Sequence, residues 1–234
     1  MRHRDNFQTK GVIRTYLGLV LGVWGVMSLG IGAGWAAQPL RIVAFGDSLT
    51  AGYLLANGEA FPDILQKALQ ERGLSVQISN AGVSGDTTTG GLARLDWSVP
   101  DGTDVVLLEL GANDMLRGTD PKITFDNLDA MIRRLKARKI AVMLFGMRSW
   151  SNAGPDYAER FNKVYTDLAK SHQIPLYPFF LDGVTGVEGM VLPDALHPSA
   201  RGVHEIVRRT LPEIEAFLRN VSYSILENKT NKEL

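Results

Sequence analysis

The chain has 234 residues, of which 45% are hydrophobic and 21% are charged, and its 25 basic and 25 acidic residues give a formal net charge of zero. This composition excludes an intrinsically disordered chain and a collagen-like repeat, and it is typical of a globular protein. Because the sequence contains no cysteine, a disulfide framework, a thiolate metal site and a cysteine nucleophile are also excluded.

The first 36 residues have the order of an export signal. Four basic residues come first, and the stretch from Tyr16 to Ala37 then carries no charge and is rich in apolar residues. Small residues stand near its end, which is typical of a signal peptide cleaved after Ala36. An apolar run of about 18 residues can also span a bilayer, so an uncleaved membrane anchor is the alternative for residues 1–36.

Cleavage would leave 21 basic and 24 acidic residues, a net charge of −3. A mildly acidic domain is a poor binder of nucleic acids and of anionic membranes. We therefore predict an exported protein, periplasmic or secreted, that binds no nucleic acid. It would contact a membrane only if residues 1–36 stay attached as an anchor.

Beyond Leu40, short apolar segments alternate with segments whose apolar residues recur at helical spacing. The short segments predict five strands, at residues 41–45, 76–78, 104–110, 140–145 and 174–180. Two of them are apolar without alternation, at 105–108 and 141–144, as in strands that are covered on both faces. We predict an α/β fold in which a parallel sheet of five strands lies between two helix layers, a three-layer sandwich.

No linker or repeat interrupts residues 40–219, which predicts a single domain over residues 37–223. The last helical segment contains Pro212, and a proline inside a helix predicts a kink. Residues 224–234 are mostly polar, and we expect this tail to fray.

In an open parallel sheet, ligands bind beyond the carboxyl ends of the strands, so the loops at that edge are the places to look for a site. Ser48 follows the first strand, within Gly-Asp-Ser-Leu. A serine at such a junction can supply a nucleophilic hydroxyl and a backbone N–H that binds an anion. Alternatively, it can cap the helix that follows.

The next two loops add a glycine and an asparagine. Gly82 follows the second strand, where glycine permits either a close approach of ligand to backbone or an ordinary turn. Ser84 nearby does not meet the G-x-S-x-G pattern of a nucleophile. Asn113 follows the third strand, where its amide can face a developing oxyanion or close an Asx turn. For its neighbour Asp114 we expect a structural role.

The loop after the fifth strand contains Asp194 and His197. At this spacing the carboxylate can hold Nδ1–H of the imidazole and leave Nε2 as a general base. His172 and His204 have helical neighbours and are expected at the surface. The sequence contains no H-E-x-x-H motif and no G-x-x-x-x-G-K-[ST] loop, so we predict neither a metal nor a cofactor.

Together, the four loops resemble the sequence blocks of the SGNH, or GDSL, hydrolase family. The resemblance rests on Gly-Asp-Ser-Leu at 46–49, Asn-Ala-Gly-Val-Ser-Gly at 80–85, Gly-Ala-Asn-Asp at 111–114 and Asp-Ala-Leu-His at 194–197. It covers nearly all of residues 40–220. It extends to the bacterial periplasmic group of acyl-CoA thioesterases, lysophospholipases and arylesterases.

The resemblance implies a flavodoxin-like strand order and an esterase or thioesterase that works through an acyl-enzyme. Ser48 would be the nucleophile, His197 the base and Asp194 the residue that orients the base. The N–H groups of Ser48 and Gly82 and the side-chain amide of Asn113 would form the oxyanion hole. No metal or cofactor would be required.

The resemblance also implies a mobile substrate loop at residues 115–120. The substrates would be small-molecule esters or thioesters with a lipid-like or aryl acyl group. The side chains expected along an acyl groove, or in the packing beside it, are Met115, Leu116, Met147 and Leu196. We expect the protein to be a monomer.

Three other functions are open at this stage. The wider family includes carbohydrate deacetylases, so a carbohydrate acetylesterase is one of them. A noncatalytic domain that binds a lipid or a glycan could use the same cleft, although Ser48, Asp194 and His197 are all present. A flavin- or nucleotide-binding domain is disfavoured, because it would place phosphate beside Asp47.

Overall fold

The computed structural model describes residues 38–150 and 152–231. The predicted signal peptide or anchor at residues 1–36 lies outside the described residues. The strands are β1 (Leu40–Gly46), β2 (Val76–Gly82), β3 (Val105–Glu109), β4 (Ala141–Phe145) and β5 (Leu176–Tyr177). The helices are α1 (Ser48–Ala51), α2 (Phe61–Glu71), α3 (Thr88–Ser98), α4 (Ala112–Leu116), α5 (Pro121–Ala137), α6 (Pro155–His172) and α7 (Ala200–Thr230).

The five strands form one parallel sheet with the order β2-β1-β3-β4-β5. This is the flavodoxin-like order. α2 packs against α7, while α5 packs against α3 and α6, so helices cover both sides of the sheet. The predicted α/β three-layer fold is confirmed.

The register of the sheet brings the carboxyl ends of the strands into one row. Gly46 of β1 lies between Gly82 of β2 and Glu109 of β3, and the row continues through Phe145 of β4 to Tyr177 of β5. The loops that follow β1, β2 and β3 therefore start side by side. Three sequence segments that are far apart in the chain meet at this edge.

The hydrophobic core lies on both sides of the sheet. All the residues of β3 are buried, as are all but the first of β4, which explains why these strands are apolar without alternation. Phe61, Phe145 and Phe180 contact one another edge to face, with ring centroids 4.9 to 6.0 Å apart. These rings fill the space between α2 and the end of β4.

Two strands differ in length from the prediction. β2 continues to Gly82, because its polar second half still pairs along its whole length with the buried strand β1. β5 is limited to Leu176–Tyr177, since Pro175 and Pro178 flank it and proline has no N–H to donate to a sheet.

Residues 224–230 belong to α7, so the last helix extends beyond Tyr223, where the polar tail was predicted to begin; the fraying of this tail stays a prediction. Val221 and Ile225 continue the helical spacing of apolar side chains and pack against the core, which holds this end of the helix in place. The helix also continues through Pro212. None of the helices in the described ranges, α7 included, combines the length and the apolar character needed to cross a membrane.

Leu107 and Leu108 test whether both faces of the sheet are covered, because successive side chains of a strand point to opposite faces. Their exposed fractions are 1% and 0%. Leu107→Ala and Leu108→Ala should each lower the free energy of unfolding by about 2 to 5 kcal/mol, measured by urea denaturation. Leu54 is 74% exposed, so Leu54→Ala is the control and should cost less than about 1 kcal/mol. A small loss at only one of the two strand positions would mean that one face is open to solvent.

Candidate active site

Ser48 stands at the turn between β1 and α1. Its neighbour Asp47 caps α1, since a carboxylate oxygen of Asp47 accepts a hydrogen bond from the Leu49 N–H at 2.9 Å. The capping role considered for Ser48 therefore falls to Asp47, and the serine hydroxyl makes a different contact. Ser48 Oγ lies 2.9 Å from Nε2 of His197, which is 149 positions away in the chain.

His197 is held on its other side by Asp194. Oδ2 of Asp194 lies 2.7 Å from Nδ1 of His197, and Oδ1 accepts the backbone N–H groups of Leu196 and His197 at 2.9 and 3.1 Å. Ala195 turns the chain between them, with a left-handed φ of 58°. The two backbone hydrogen bonds, followed by the interaction with the His197 ring, lower the pKa of Asp194 to about 2. The carboxylate is therefore ionised at neutral pH.

Ser48, His197 and Asp194 thus form a continuous hydrogen-bonded chain. With a carboxylate on Nδ1, the proton of the neutral imidazole is placed on Nδ1, and Nε2 faces the serine as an acceptor. This arrangement can take a proton from the serine hydroxyl. The structure brings together the three residues that the sequence analysis assigns to catalysis.

Two of the expected oxyanion donors are backbone N–H groups, and they differ in whether they are occupied. The N–H of Ser48 has no acceptor within the described residues. The N–H of Gly82 donates to Oδ1 of Asn80 at 2.9 Å. A substrate oxyanion would therefore meet an open donor at Ser48, but it would have to share or displace the Asn80 oxygen at Gly82.

The third expected donor is the side-chain amide of Asn113. Its Nδ2 donates to Oδ2 of Asp47 at 3.0 Å and to the carbonyl oxygen of Asp86 at 2.9 Å. Both of its N–H groups are engaged, and the amide is held in a fixed orientation. It can bind an oxyanion only by sharing or exchanging one of these acceptors.

A buried arginine that the sequence analysis does not identify ties the ends of β1 and β2 together. Arg94 donates to the carbonyl oxygens of Gly46 at 2.8 Å and Ala81 at 2.9 Å, and it pairs with Asp86 at 2.6 Å. These contacts fix the strand ends from which the first two site loops start. An arginine within a helix has no spacing that marks such a role, so no sequence signal could have found it.

A cavity of about 290 Å³ opens beside Ser48, Asn113 and His197, which contribute to its wall. All the residues expected along an acyl groove also line it, namely Met115, Leu116, Met147 and Leu196. Of these, Met147 is buried, whereas Leu116 and Leu196 are exposed. The structure therefore places the predicted catalytic residues and the predicted groove residues around one cavity.

Further side chains at the cavity were not predicted. Trp150 and Phe179 add aromatic surface to its wall, and Arg148 adds a permanent positive charge. The ring of Tyr53 lies 4.5 Å from the ring of His197, measured between centroids. These residues come from loops after three different strands, and nothing in their local sequence marks them as parts of one site.

The predicted substrate loop at residues 115–120 is anchored at several points. Arg117 donates to the carbonyl oxygen of Gly85 at 2.9 Å, and Asp120 accepts a hydrogen bond from Arg160 at 3.0 Å. The mobility of this loop stays a prediction.

Asp114 and the remaining histidines lie outside the catalytic contacts. Asp114 is buried and accepts hydrogen bonds from the backbone N–H and the hydroxyl of Thr88, which agrees with the structural role expected for it. His204 is exposed, as expected. His172 was also expected at the surface, but it is partly buried, and its Nε2 lies 2.7 Å from Oδ1 of Asp129. Among residues 38–150 and 152–231, no group of three or more His, Asp or Glu side chains is arranged to hold a metal ion.

Comparison with known proteins agrees with this geometry. Residues 44–204 match the GDSL-like lipase/acylhydrolase family. The chain is 38% identical over 184 residues to esterase TesA of Pseudomonas aeruginosa, and the alignment covers 78% of this chain and 90% of that protein. It is 36% identical over 165 residues to thioesterase 1/protease 1/lysophospholipase L1 of Escherichia coli strain K12, with 70% of this chain and 78% of that protein covered.

A solved structure extends the similarity to the fold. The chain is similar to AlinE4, an esterase of the SGNH-hydrolase family, with a TM-score of 0.66 and 41% sequence identity. The match covers 77% of this chain and 97% of that chain. Because the family match includes all four site loops and most of the described domain, the chain belongs to the GDSL-like lipase/acylhydrolase family of ester hydrolases.

Proposed function

We propose that this protein hydrolyses carboxylic esters and thioesters through an acyl-enzyme formed on Ser48. The observation that carries the proposal is the hydrogen-bonded chain from Ser48 through His197 to Asp194, with distances of 2.9 and 2.7 Å. The chain supplies a nucleophile, a base with an acceptor nitrogen, and an anion that stabilises the protonated base.

The first half of the reaction acylates the serine. Oγ of Ser48 bonds to the carbonyl carbon of the substrate while its proton passes to Nε2 of His197. The tetrahedral intermediate then breaks the bond to the leaving oxygen or sulfur, which takes the proton from His197. The ionised carboxylate of Asp194 stabilises the imidazolium while it exists.

The second half uses the same groups with water as the nucleophile. Water gives a proton to Nε2 of His197 and bonds to the acyl carbon, and the bond to Ser48 Oγ then breaks. The proton returns to Oγ, and the carboxylic acid leaves. This regenerates the starting enzyme without any further reactant.

The negative charge on the carbonyl oxygen in both halves needs donors that are already oriented. The unoccupied N–H of Ser48 supports its role as one donor. The amide of Asn113 lies in the cavity wall with a fixed orientation, which supports its role as a second. Gly82 would complete the hole when the oxyanion shares its N–H with Asn80.

The cavity supports an apolar acyl group in the substrate. Its lining is mostly aliphatic and aromatic, and its volume of about 290 Å³ is far more than an acetyl group fills. This favours a lipid-like or aryl acyl group over the acetylated sugar of a carbohydrate acetylesterase. The names of the relatives include both esterase and thioesterase, which supports oxygen and sulfur leaving groups alike.

We further propose that the protein is exported and acts as a monomer. The order of basic, apolar and small residues in the segment 1–36 supports export. Contact with a membrane is proposed only for the form that keeps this segment.

Ser48→Ala should lower kcat by about 10⁴- to 10⁶-fold, because it removes the atom that forms the acyl-enzyme. The measurement is the hydrolysis of p-nitrophenyl esters with acyl chains from acetyl to palmitoyl. Ser84 is exposed on a neighbouring loop, so Ser84→Ala is the matched control and should leave kcat unchanged. Retention of most activity by the Ser48 variant would contradict the proposal.

Asp194→Asn tests how the base is oriented. The amide oxygen would keep the two backbone N–H groups that Oδ1 now accepts, so the amide NH₂ would face Nδ1 of His197 and move the ring proton to Nε2. Nε2 could then no longer accept the proton of Ser48, and kcat should fall by about 10⁴-fold. Circular dichroism should show an unchanged fold.

The difference in rate between the wild type and Asp194→Asn should persist at lower pH. Because the pKa of Asp194 is about 2, the wild-type carboxylate stays ionised when the pH falls from 7 to 5. The variant should therefore be slower than the wild type at both pH values. A wild-type rate that falls to the rate of the variant at pH 5 would contradict the prediction that Asp194 is still ionised there.

Leu116→Trp should shorten the preferred acyl chain, because Leu116 is 44% exposed and its side chain lines the cavity. A larger ring there would fill space that a long chain needs, so kcat/KM for long-chain p-nitrophenyl esters should fall by about 10- to 200-fold while the acetyl ester is little affected. Ile123 has a similar exposure, 47%, and lies on α5 away from the cavity lining. Ile123→Trp should leave kcat/KM unchanged for both the long-chain esters and the acetyl ester. If Leu116→Trp lowers kcat/KM equally for all chain lengths, the acyl chain does not bind in this groove.

A further inference from the structure

Glu109, the last residue of β3, is a buried carboxyl group that has no step in the proposed reaction. Its exposed fraction is 2%. Oε2 of Glu109 accepts a hydrogen bond from the hydroxyl of Thr50 at 2.8 Å and lies 3.4 Å from the backbone N–H of Asp47. Asp47 and Thr50 stand on either side of Ser48 in the chain. Glu109 therefore contacts both ends of the turn that presents the nucleophile.

Asp47 connects this contact to the oxyanion hole. It is itself fully buried, and its two carboxylate oxygens accept the Leu49 N–H at 2.9 Å and the Asn113 amide at 3.0 Å. A shift of Glu109 would thus be transmitted to Ser48 and to Asn113 together. Among the described residues, no other side chain forms hydrogen bonds with both Asp47 and Thr50.

The surroundings of Glu109 are unsuited to a second negative charge. Within residues 38–150 and 152–231, neither Asp47 nor Glu109 forms an ion pair with lysine or arginine, and Oε1 of Glu109 is buried without any hydrogen-bond partner. A buried carboxylate with an unpaired oxygen is strongly unfavourable. A proton on Oε1 would remove the charge and leave Oε2 as the acceptor that Thr50 and Asp47 require.

The electrostatics of the pair agree with this placement of the proton. Burial, and then the negative charge of Asp47, raises the pKa of Glu109 well above its ordinary value. Burial also raises the pKa of Asp47 to about 6, while the nearby charges of His197 and Asp86 act on it in opposite directions. The direction of both shifts has the same physical cause, two carboxyl groups buried side by side, and it agrees with the proton that the unpaired Oε1 of Glu109 indicates.

We propose that Glu109 is a positioning residue that works as a neutral carboxylic acid, and that it fixes the Ser48 turn and the Asn113 amide through its contacts with Thr50 and Asp47. The proposal rests on the proposed function, because its effect is read in hydrolysis that depends on Ser48. It adds a residue that does not touch the substrate.

Two substitutions of Glu109 test whether the residue acts as a neutral acid or as a charged carboxylate. Glu109→Gln keeps the shape of the neutral acid and an oxygen that can accept from Thr50 and Asp47, so its kcat should stay within about 3-fold of the wild type. Glu109→Met keeps the unbranched length but removes the acceptor, so its kcat should fall by about 100-fold through misplacement of the site. KM should change little in either variant. The initial burst of p-nitrophenol gives the concentration of functional active sites, and each rate is divided by this concentration. A variant that folds in lower yield is then not mistaken for a slower enzyme.

Infrared spectroscopy detects the proton on Glu109 directly, without a measurement of hydrolysis. Near pH 7 the wild type should show the C=O stretch of a buried protonated carboxyl group, with a shift in D₂O, and Glu109→Gln should lack this band. Glu71 is an exposed glutamate, so Glu71→Gln is the matched control and should keep the band.

Each outcome decides the proposal. A Glu109→Gln variant as slow as Glu109→Met would show that the charge is needed, and a wild type without the band would show that no proton is held; either result overturns the proposal. Full activity per site in Glu109→Met would reduce Glu109 to a structural role and overturn it too. If Glu109→Met does not fold, the glutamine variant and the infrared band still decide.

Failure of the proposed function has a separate signature. In that case the wild type and Ser48→Ala would hydrolyse esters equally slowly, and the positioning role would fall with it. The infrared band, which does not depend on hydrolysis, would still be present. The two failures are therefore distinguishable in one set of samples.

Discussion

The active site depends on a close approach of backbone and side chains at Gly46, where β1 ends between β2 and β3. A Cβ atom at this position would overlap the Thr50 hydroxyl and lie 2.6 Å from Oε2 of Glu109. At Gly82, the neighbour of Gly46 in the register, a Cβ atom would lie 2.7 Å from Cα of Ala51. Two residues without side chains thus let the first turn of α1 sit directly on the strand ends. The position of Ser48, the proposed nucleophile, follows from this contact, and the hydrogen bonds of Arg94 to the ends of β1 and β2 stabilise it.

The carboxyl groups of the site show how one functional group serves different purposes in different surroundings. Asp194 receives two backbone N–H groups and faces the imidazole, and these contacts keep its pKa low at about 2. Asp47 is buried beside another carboxyl group, and burial raises its pKa to about 6. In the proposed reaction, the exposed, hydrogen-bonded acid keeps the charge that stabilises a protonated base, whereas the buried acids are proposed to organise the turn and the amide. The number of hydrogen bonds and the degree of burial decide between these roles.

The sheet and the loops contribute different parts of the site. The parallel sheet, covered on both faces, supplies a rigid row of strand ends, and the loops after β1, β3, β4 and β5 supply the lining of the cavity. Most of that lining is apolar, and Ser48, Asn113 and His197 are among its few polar residues. A lid is not needed to complete the hydrogen-bonded chain, since its distances are already short without a substrate. In the proposed reaction, the hydrogen bonds of the oxyanion donors have to change instead, because Gly82 and Asn113 already donate to acceptors of the protein.

The fold class, the order of the strands and the candidate catalytic residues Ser48, Asp194 and His197 could all be predicted from the sequence. These depend on local patterns: uninterrupted apolar strands, helical periodicity and short motifs at strand ends. The groups that meet across the sheet could not be predicted, because such contacts depend on the register between strands that are distant in the chain. The buried Glu109, the bridge made by Arg94, the occupied oxyanion donors and the shape of the cavity all belong to this second class. So does the extent of α7, which continues to Thr230 although its last residues are mostly polar, with Val221 and Ile225 packed against the core.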